Sequence, residues 1–223
     1  MNDLQKVGGV AALIEAATYV VGFALLAALL APAGYGDGDA VQSVAFLAGN
    51  QAIMYVWNLI IYVINGIFLV VLVIALYHRL KAGSPAMAQT ATAFGLIWAA
   101  LVIASGMVAN IGLGTVVDLY GEDPAQAASV WLALDSVQNG LGGGNEIVGG
   151  LWVLLVSVAA LRAGGLPRAL NYLGAVIGVA GLLTVVPALE VLGAVFGLGF
   201  IVWFIWVGLV MLRGGPSKLG GNS

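Results

Sequence analysis

The chain has 223 residues, of which 62% are hydrophobic and 8% are charged, and its mean hydropathy is +1.09. These fractions lie far outside those of soluble domains and predict a polytopic membrane protein. The sequence has no cysteine and one histidine, which excludes disulfides, thiolate nucleophiles, bis-histidine haem and H-E-x-x-H zinc sites within one chain.

The apolar runs predict an all-α fold with six transmembrane helices. We place them near residues 8–31, 53–78, 87–111, 142–162, 169–189 and 193–212. About 20 apolar residues suffice to cross a bilayer, and the last apolar block is long enough to cross twice. Residues 1–213 would then form a single transmembrane domain, and residues 214–223 a flexible cytoplasmic tail.

The first predicted span also allows a different interpretation, a cleaved signal peptide. Ala31 and Ala33 form an A-x-A-like cleavage site after the apolar run. The run is longer than the usual apolar region of a signal peptide, and it contains Glu15. We therefore favour an uncleaved first span.

The charges predict the orientation. All seven basic residues fall on one side of the predicted topology: Lys6, Arg79, Lys81, Arg162, Arg168, Arg213 and Lys218. The loops on the other side carry acidic residues and no Lys or Arg: Asp37, Asp39, Asp118, Glu122, Asp123, Asp135 and Glu190. The positive-inside rule then places both termini in the cytoplasm.

Each of the two long outward loops predicts a short interfacial helix. Asp39 is the expected N-cap of the first. In the second, Asp123 is the expected N-cap, Pro124 suits the first turn, and Trp131 would lie at headgroup depth before the helix breaks at a glycine-rich stretch. We favour a simple surface helix here, and the alternative is a lid over an outward pocket.

Two glutamates lie inside predicted spans, where a carboxylate costs several kcal/mol unless it is neutralised, paired or hydrated. At ~1.5 Å per residue, Glu146 lies roughly 24 Å from the inner boundary and Glu15 roughly 10 Å from it, which places them in opposite leaflets. Asn65 falls at a depth similar to that of Glu146. For Glu15, a neutral hydrogen-bonded side chain is one interpretation and a proton-linked group is the other.

These residues predict an outward-facing polar cavity. The expected ligand-binding residues are Glu146, Asn145, Asn65, Asn58 and Asn110, with Trp57 and Trp152 on the walls. The alternative is that the amides anchor helix ends and that Glu146 stabilises the start of the fourth span through the helix dipole. Small residues at four-residue spacing, such as Gly174 and Gly178, indicate close packing within the bundle or, alternatively, a dimer face.

Two segments carry a family resemblance: "GGVAALIEAATYVVGFALLAALLAP" and "GGNEIVGGLWVLLVSVAALRAGGLPRALNYLGAVIGVAGLL". They resemble the bacterial integral-membrane family known as DUF4386, most specifically from Glu146 to Pro167. The resemblance implies a multi-pass protein of the bacterial inner membrane. It adds no catalytic residue, because the family has no established activity.

We expect a non-enzymatic membrane protein whose cavity binds a lipid or a small amphipathic ligand. One alternative is a proton-coupled transporter in which Glu15 and Glu146 titrate on opposite sides of a gate. Another is an accessory subunit of a larger membrane complex or a homo-oligomer. Membrane lipids are expected partners, whereas the sequence gives no support for nucleic-acid binding, a metal or a cofactor.

Overall fold

The computed structural model describes residues 3–143 and 146–213, and it is 88% helical with no strand among those residues. The α-helices of this part of the chain are α1 (Asp3–Leu25), α2 (Ala40–Gly49), α3 (Gln51–Asn58), α4 (Asn65–Leu80), α5 (Pro85–Tyr120), α6 (Pro124–Gln138), α7 (Ile147–Ala163), α8 (Arg168–Leu183) and α9 (Leu192–Arg213). The predicted all-α class is confirmed. The predicted tail, 214–223, lies outside the described residues.

Several of these helices join into longer rods. After α1 the chain continues through a π-helical segment, Leu26–Leu30, and a 3-10 turn, Ala31–Ala33. A second π-helical segment, Leu59–Ile64, joins α3 to α4. The resulting rods, Asp3–Ala33 and Gln51–Leu80, are 31 and 30 residues long.

The long helices pack in a closed ring. α1 contacts α4, α4 contacts α5, α5 contacts α7, α7 contacts α8, α8 contacts α9, and α9 returns to α1. Short connections make neighbouring rods antiparallel. One end of the ring, which we call the basic end, therefore gathers the chain near residues 3, 80–85, 163–168 and 213. The opposite, acidic end carries the connections around residues 34–50, 121–143 and 184–191.

Five rods of the described chain are long and apolar enough to cross a membrane: Asp3–Ala33, Gln51–Leu80, Pro85–Tyr120, Pro124–Ala163 and Leu192–Arg213. The fifth predicted span, 169–189, corresponds to the shorter helix α8, which has 16 residues and ends at Leu183. It stops early because Val186, which precedes Pro187, has an extended backbone, as residues before proline commonly do.

The outer helices confirm both predicted N-caps. Asp39 accepts a hydrogen bond from the backbone N–H of Gln42 at 2.9 Å, and the Gln42 side chain accepts one from Asp39 in return. Asp123 accepts hydrogen bonds from the first backbone N–H groups of α6. α2 and α6 then pack together and on α5 through Val44, Val116 and Ala127. Their small apolar core closes the acidic end.

The centre of the ring is filled by large aromatic side chains. They form one connected cluster: Trp98, Trp152, Phe196, Phe200, Trp203 and Phe204. Around it, glycines allow the helices to approach closely. A Cβ on Gly150 would lie 2.8 Å from the carbonyl oxygen of Gly178, and one on Gly178 would lie 2.7 Å from that of Gly150. Gly178 thus serves packing of α7 on α8 within the chain.

Candidate functional site

The site begins with a polar cluster of three side chains between α1 and α4: Glu15, Thr18 and Asn65. The side-chain amide of Asn65 donates from Nδ2 to Oε2 of Glu15 and, at 2.9 Å, to Oγ1 of Thr18. The Thr18 hydroxyl donates to the backbone carbonyl of Glu15 at 2.8 Å. The hydrogen bonds therefore run in one direction, from the asparagine and threonine towards Glu15.

This cluster is buried inside the ring. Glu15 is 0% exposed, Asn65 2% and Thr18 5%. The second carboxyl oxygen of Glu15, Oε1, has no hydrogen-bond partner among the described residues. An unpartnered buried oxygen costs free energy, and the single hydrogen bond that Asn65 donates to Oε2 offsets part of the cost of burying this side chain.

A cavity of about 260 Å³ lies beside the cluster. Its wall is formed by aromatic, aliphatic and a few polar residues: Thr18, Tyr19, Gly22, Phe23, Leu26, Trp57, Ile61, Tyr62, Asn65, Trp98, Val102, Gly142 and Glu146. None of these described lining residues is Lys or Arg. The cavity thus combines an apolar, aromatic surface with Glu146 and Asn65 as its strongly polar groups.

Glu146 precedes the first turn of α7, and its backbone holds it there. Its N–H donates to Oγ1 of Thr184 at 3.1 Å, and its carbonyl accepts from the N–H of Gly150 at 2.8 Å. The Glu146 side chain makes no capping hydrogen bond with α7. Glu146 lines the cavity, and its position at the helix N-terminus also suits the helix dipole.

Trp57 forms another side of the cavity, and its side chain is held by contacts with Gly22 and with Tyr35. Its ring N–H donates to the carbonyl of Gly22 at 3.1 Å. Gly22 is needed for this approach of the helices, since a Cβ there would lie 2.7 Å from Ile61. On the acidic side, the Tyr35 ring meets Trp57 edge-on with centroids 5.5 Å apart, and burial raises the pKa of Tyr35 to about 12.

The end of α6 adjoins the cavity through Tyr62. The side-chain Nε2 of Gln138 donates to the Tyr62 hydroxyl at 3.1 Å, and the backbone carbonyl of Gln138 accepts from the Ser105 hydroxyl at 3.4 Å. Four residues later, Gly142 has φ +132°, in the left-handed region that favours glycine, and it lines the cavity. The predicted helix break is confirmed there. The lid interpretation gains support from this position, because α6 leads directly into the cavity wall.

Irregular helix geometry coincides with the cavity wall. The π-helical segments Leu26–Leu30 and Leu59–Ile64 and the kinked segment Asn139–Gly143 each contribute lining residues. π-Helical turns cost backbone stability and occur frequently at functional sites. Their convergence on one cavity distinguishes this region from the regular helix packing of the rest of the ring.

Three of the residues predicted from the sequence are brought together here. Glu146, Asn65 and Trp57 all line the one cavity. Gly149 and Gly150, which follow Glu146 in α7, allow close packing, Gly149 on Trp98 and Gly150 on α8.

The other predicted residues lie elsewhere. Trp152 is buried behind Trp98 in the aromatic cluster, with ring centroids 5.4 Å apart, and does not line the cavity. Asn58 is buried between helices and Asn110 is half-buried, and neither belongs to the cavity wall. Asn145 lies outside the described residues.

The assignment of Glu15 and Glu146 to opposite leaflets stays a prediction. The structure nevertheless brings Glu15 into contact with Asn65, which was expected at the depth of Glu146, and α1 begins at Asp3, five residues before the expected start of the first span. Counted from the basic ends of their helices, Glu15, Asn65 and Glu146 lie about 18, 22 and 25 Å along. Glu15 therefore reaches Asn65 directly and connects to the cavity that Glu146 lines.

Sequence reasoning did not assign the other contributors to the wall, notably Thr18, Tyr19, Tyr62, Trp98 and Gly142. Thr18 was visible as a polar residue one turn from Glu15, at the spacing that puts two side chains on one helix face. The aromatic residues carried no comparable signal, because the membrane core and its interfaces are rich in them. The described chain contains no group of three carboxylate or imidazole side chains that could hold a metal ion.

The architecture and the cavity define a class: an all-helical bundle with helices of membrane-spanning length and a mixed polar and aromatic cavity. A model for a domain of unknown function, DUF4386, matches residues 7–208. The chain belongs to the DUF4386 family, which confirms the resemblance drawn from its sequence. Comparisons with curated proteins and with solved structures find no match.

Proposed function

We propose that this protein is a multi-pass membrane protein that binds a small amphipathic molecule in the cavity between α1, α4, α5 and α7. The observation that carries the proposal is the cavity itself, where one carboxylate and one amide face aromatic and aliphatic walls. Small-molecule sites typically combine such an apolar lining with a few polar groups that fix orientation. No catalytic residue is proposed.

The size of the cavity favours a small ligand over a whole lipid. Its volume of about 260 Å³ lies just below the range of roughly 300–1,000 Å³ typical of sites for drug-sized ligands. A single ring or a short chain with one polar group fits this space. A phospholipid with two acyl chains does not.

The membrane setting is part of the proposal. We infer six spans, with α8 as the short one, both termini in the cytoplasm and the acidic end facing outward in a bacterial inner membrane. The separation of basic and acidic residues supports this orientation. The cavity would then lie towards the outer surface, since it includes Glu146 and Gly142 near the acidic end.

Native mass spectrometry of the protein released from a mild detergent tests ligand binding. We expect the wild-type protein to retain a small bound species, and Glu146→Gln and Val102→Trp to lose it. Val102 lines the cavity, so tryptophan at this position would occupy the space of the ligand. Val202→Trp is the matched control, because Val202 is 53% exposed on α9.

The proposal fails if the wild-type protein carries no small species, or if Val102→Trp retains it as well as Val202→Trp does. Size-exclusion profiles of the variants separate loss of the ligand from loss of the fold. The accessory-subunit alternative stays a prediction, and other protein chains in the same spectra would support it.

One observation also favours a proton-coupled transporter. The buried carboxyl group of Glu15 is joined to the cavity through Asn65, so occupation of the cavity and protonation of Glu15 can influence each other. Proton-coupled transport requires uptake into liposomes that follows an imposed pH gradient and that Glu15→Gln abolishes. Uptake that is independent of the gradient would exclude this second function.

A further inference from the structure

We propose that the ligand of the cavity is an organic cation, such as a protonated amine bearing one aromatic ring or a short apolar chain. This inference rests on the proposed function, because it names the chemical class of the molecule bound at that site. Three features of the described residues support it: the direction of the hydrogen bonds, the distribution of charge and the composition of the walls.

The hydrogen bonds around the cavity use most of its donors and leave acceptors unused. Both N–H groups of the Asn65 amide are engaged, one with Glu15 and one with Thr18. The Thr18 hydroxyl and the Trp57 ring N–H each donate to a backbone carbonyl. What remains for a ligand is the carbonyl oxygen of Asn65 and the carboxylate of Glu146, both acceptors.

The tyrosine hydroxyls of the cavity do not change the excess of free hydrogen-bond acceptors over charged donors. Tyr62 accepts a hydrogen bond from Gln138, which leaves its O–H as a donor, and Tyr19 can donate or accept. Both are neutral groups. They can therefore assist a ligand, but they do not supply the positive charge that an anionic ligand would need.

The distribution of charged residues also favours a cationic ligand. Among the described residues, the cavity wall includes Glu146 and neither Lys nor Arg. The sequence has no Lys or Arg between residues 7 and 78 or between 82 and 161, the segments that supply every lining residue. A carboxylate in a low-dielectric site is costly unless it is paired, and no Lys or Arg among the described residues lines the cavity to pair with it. A cationic ligand would supply that partner.

The walls also suit a cation. Rings of Tyr19, Trp57, Tyr62 and Trp98 surround the same space as Glu146. The faces of such rings carry partial negative charge and attract ammonium groups, and aromatic cages are a common way of binding organic cations. The aliphatic wall at Ile61 and Val102 would accommodate the apolar part of the ligand.

The test uses three probes that share a phenyl ring and differ in charge: 2-phenylethylammonium, 2-phenylethanol and phenylacetate. Each is titrated into the full-length protein in detergent by isothermal calorimetry. We expect the ammonium to bind at least about tenfold more tightly than the alcohol, in line with a charge-assisted hydrogen bond. Phenylacetate should bind most weakly, since its charge has the same sign as that of Glu146.

Two variants assign the effect to its residue. Glu146→Gln should remove the advantage of the ammonium while leaving the binding of the alcohol within about twofold, because the cavity keeps its shape. The matched control is Glu190→Gln, the same change at an exposed glutamate of the acidic end. It should leave the order of the three probes unchanged.

The outcomes separate this inference from the proposed function. Equal affinities for ammonium and alcohol, or an unchanged preference in Glu146→Gln, would overturn the cation assignment while the cavity remains a ligand site. Tightest binding of phenylacetate would show that Glu146 is protonated and donates. Failure of all three probes to bind also overturns the cation assignment, whereas the proposed function depends on the species retained in native mass spectrometry.

Discussion

Asn65 is the residue on which the polar cluster depends, because it supplies both hydrogen bonds that link α4 to α1. We expect Asn65→Leu to lower stability by about 1–3 kcal/mol, since it leaves the buried carboxyl group of Glu15 without a donor. The measurement is thermal unfolding in detergent. Asn58→Leu is the control, because Asn58 is also buried on the Gln51–Leu80 rod but lies outside the cluster.

The double variant Glu15→Leu/Asn65→Leu separates hydrogen bonding from packing. Replacing both partners by apolar groups removes the unpaired carboxyl group, so part of the stability lost in Asn65→Leu should return. Losses that simply add in the double variant would show that the two side chains are not energetically coupled.

At this scale, the sequence identified the rare polar residues but not their pairing. Glu15, Glu146 and Asn65 are conspicuous because a polar group is costly in a membrane. Whether two of them meet depends on how each helix is rotated and on where it begins. α1 begins five residues earlier than the hydropathy indicated, and the depths estimated from hydropathy did not predict the contact between Glu15 and Asn65.

Among the elements, α7 and α8 show how glycine sets the distance between helices. Gly150→Ala would place a methyl group 2.8 Å from the carbonyl oxygen of Gly178 and 2.9 Å from the backbone nitrogen of Leu182. We expect a loss of about 1–3 kcal/mol, because a backbone cannot move aside as a flexible side chain can. Thermal unfolding in detergent measures it.

Gly193→Ala provides the control for this prediction. A Cβ on Gly193 would meet nothing within 4 Å, and the residue lies in the first turn of α9. The higher helix propensity of alanine should leave the stability unchanged or raise it by up to about 1 kcal/mol. Equal effects of the two substitutions would mean that contact between α7 and α8 is not limited by the glycine.

Capping residues predicted where α2 and α6 begin better than hydropathy predicted where α5 and α8 end. The caps at Asp39 and Asp123 depend on side chains that bond to the next turn, so a few residues of sequence contain all the information. The ends of α5 and α8 depend on tertiary packing and on Pro187. α5 continues to Tyr120, beyond its expected end near 111, because its last turns pack on α2 and α6.

For the molecule as a whole, closure of the ring explains why the cavity has its position. α1, α4, α5 and α7 are neighbours in the ring, although their polar residues are far apart in sequence. The sequence predicts antiparallel neighbours through short loops, but it does not predict which helices close the ring. Contact of α9 with α1 is therefore the feature of the fold that only the structure supplies.

The six-span orientation makes a prediction about access to each end of the ring. The chain has no cysteine, so single substitutions introduce unique thiols. Asp37→Cys and Val191→Cys at the acidic end should react with a membrane-impermeant maleimide in spheroplasts. Ala82→Cys and Ala169→Cys at the basic end should react only after permeabilisation, and all four positions are exposed.

α8 decides between six spans and five. Its 16 residues are about 24 Å long, shorter than a hydrocarbon core of about 30 Å, so it can cross only if the bilayer thins or if the turn at Pro187–Leu189 lies within the membrane. A crossing α8 places Ala169 and Val191 on opposite sides. Labelling of both from the same side would reduce the count to five and would move the C-terminal end of α9 to the outer face, against the positive-inside rule at Arg213.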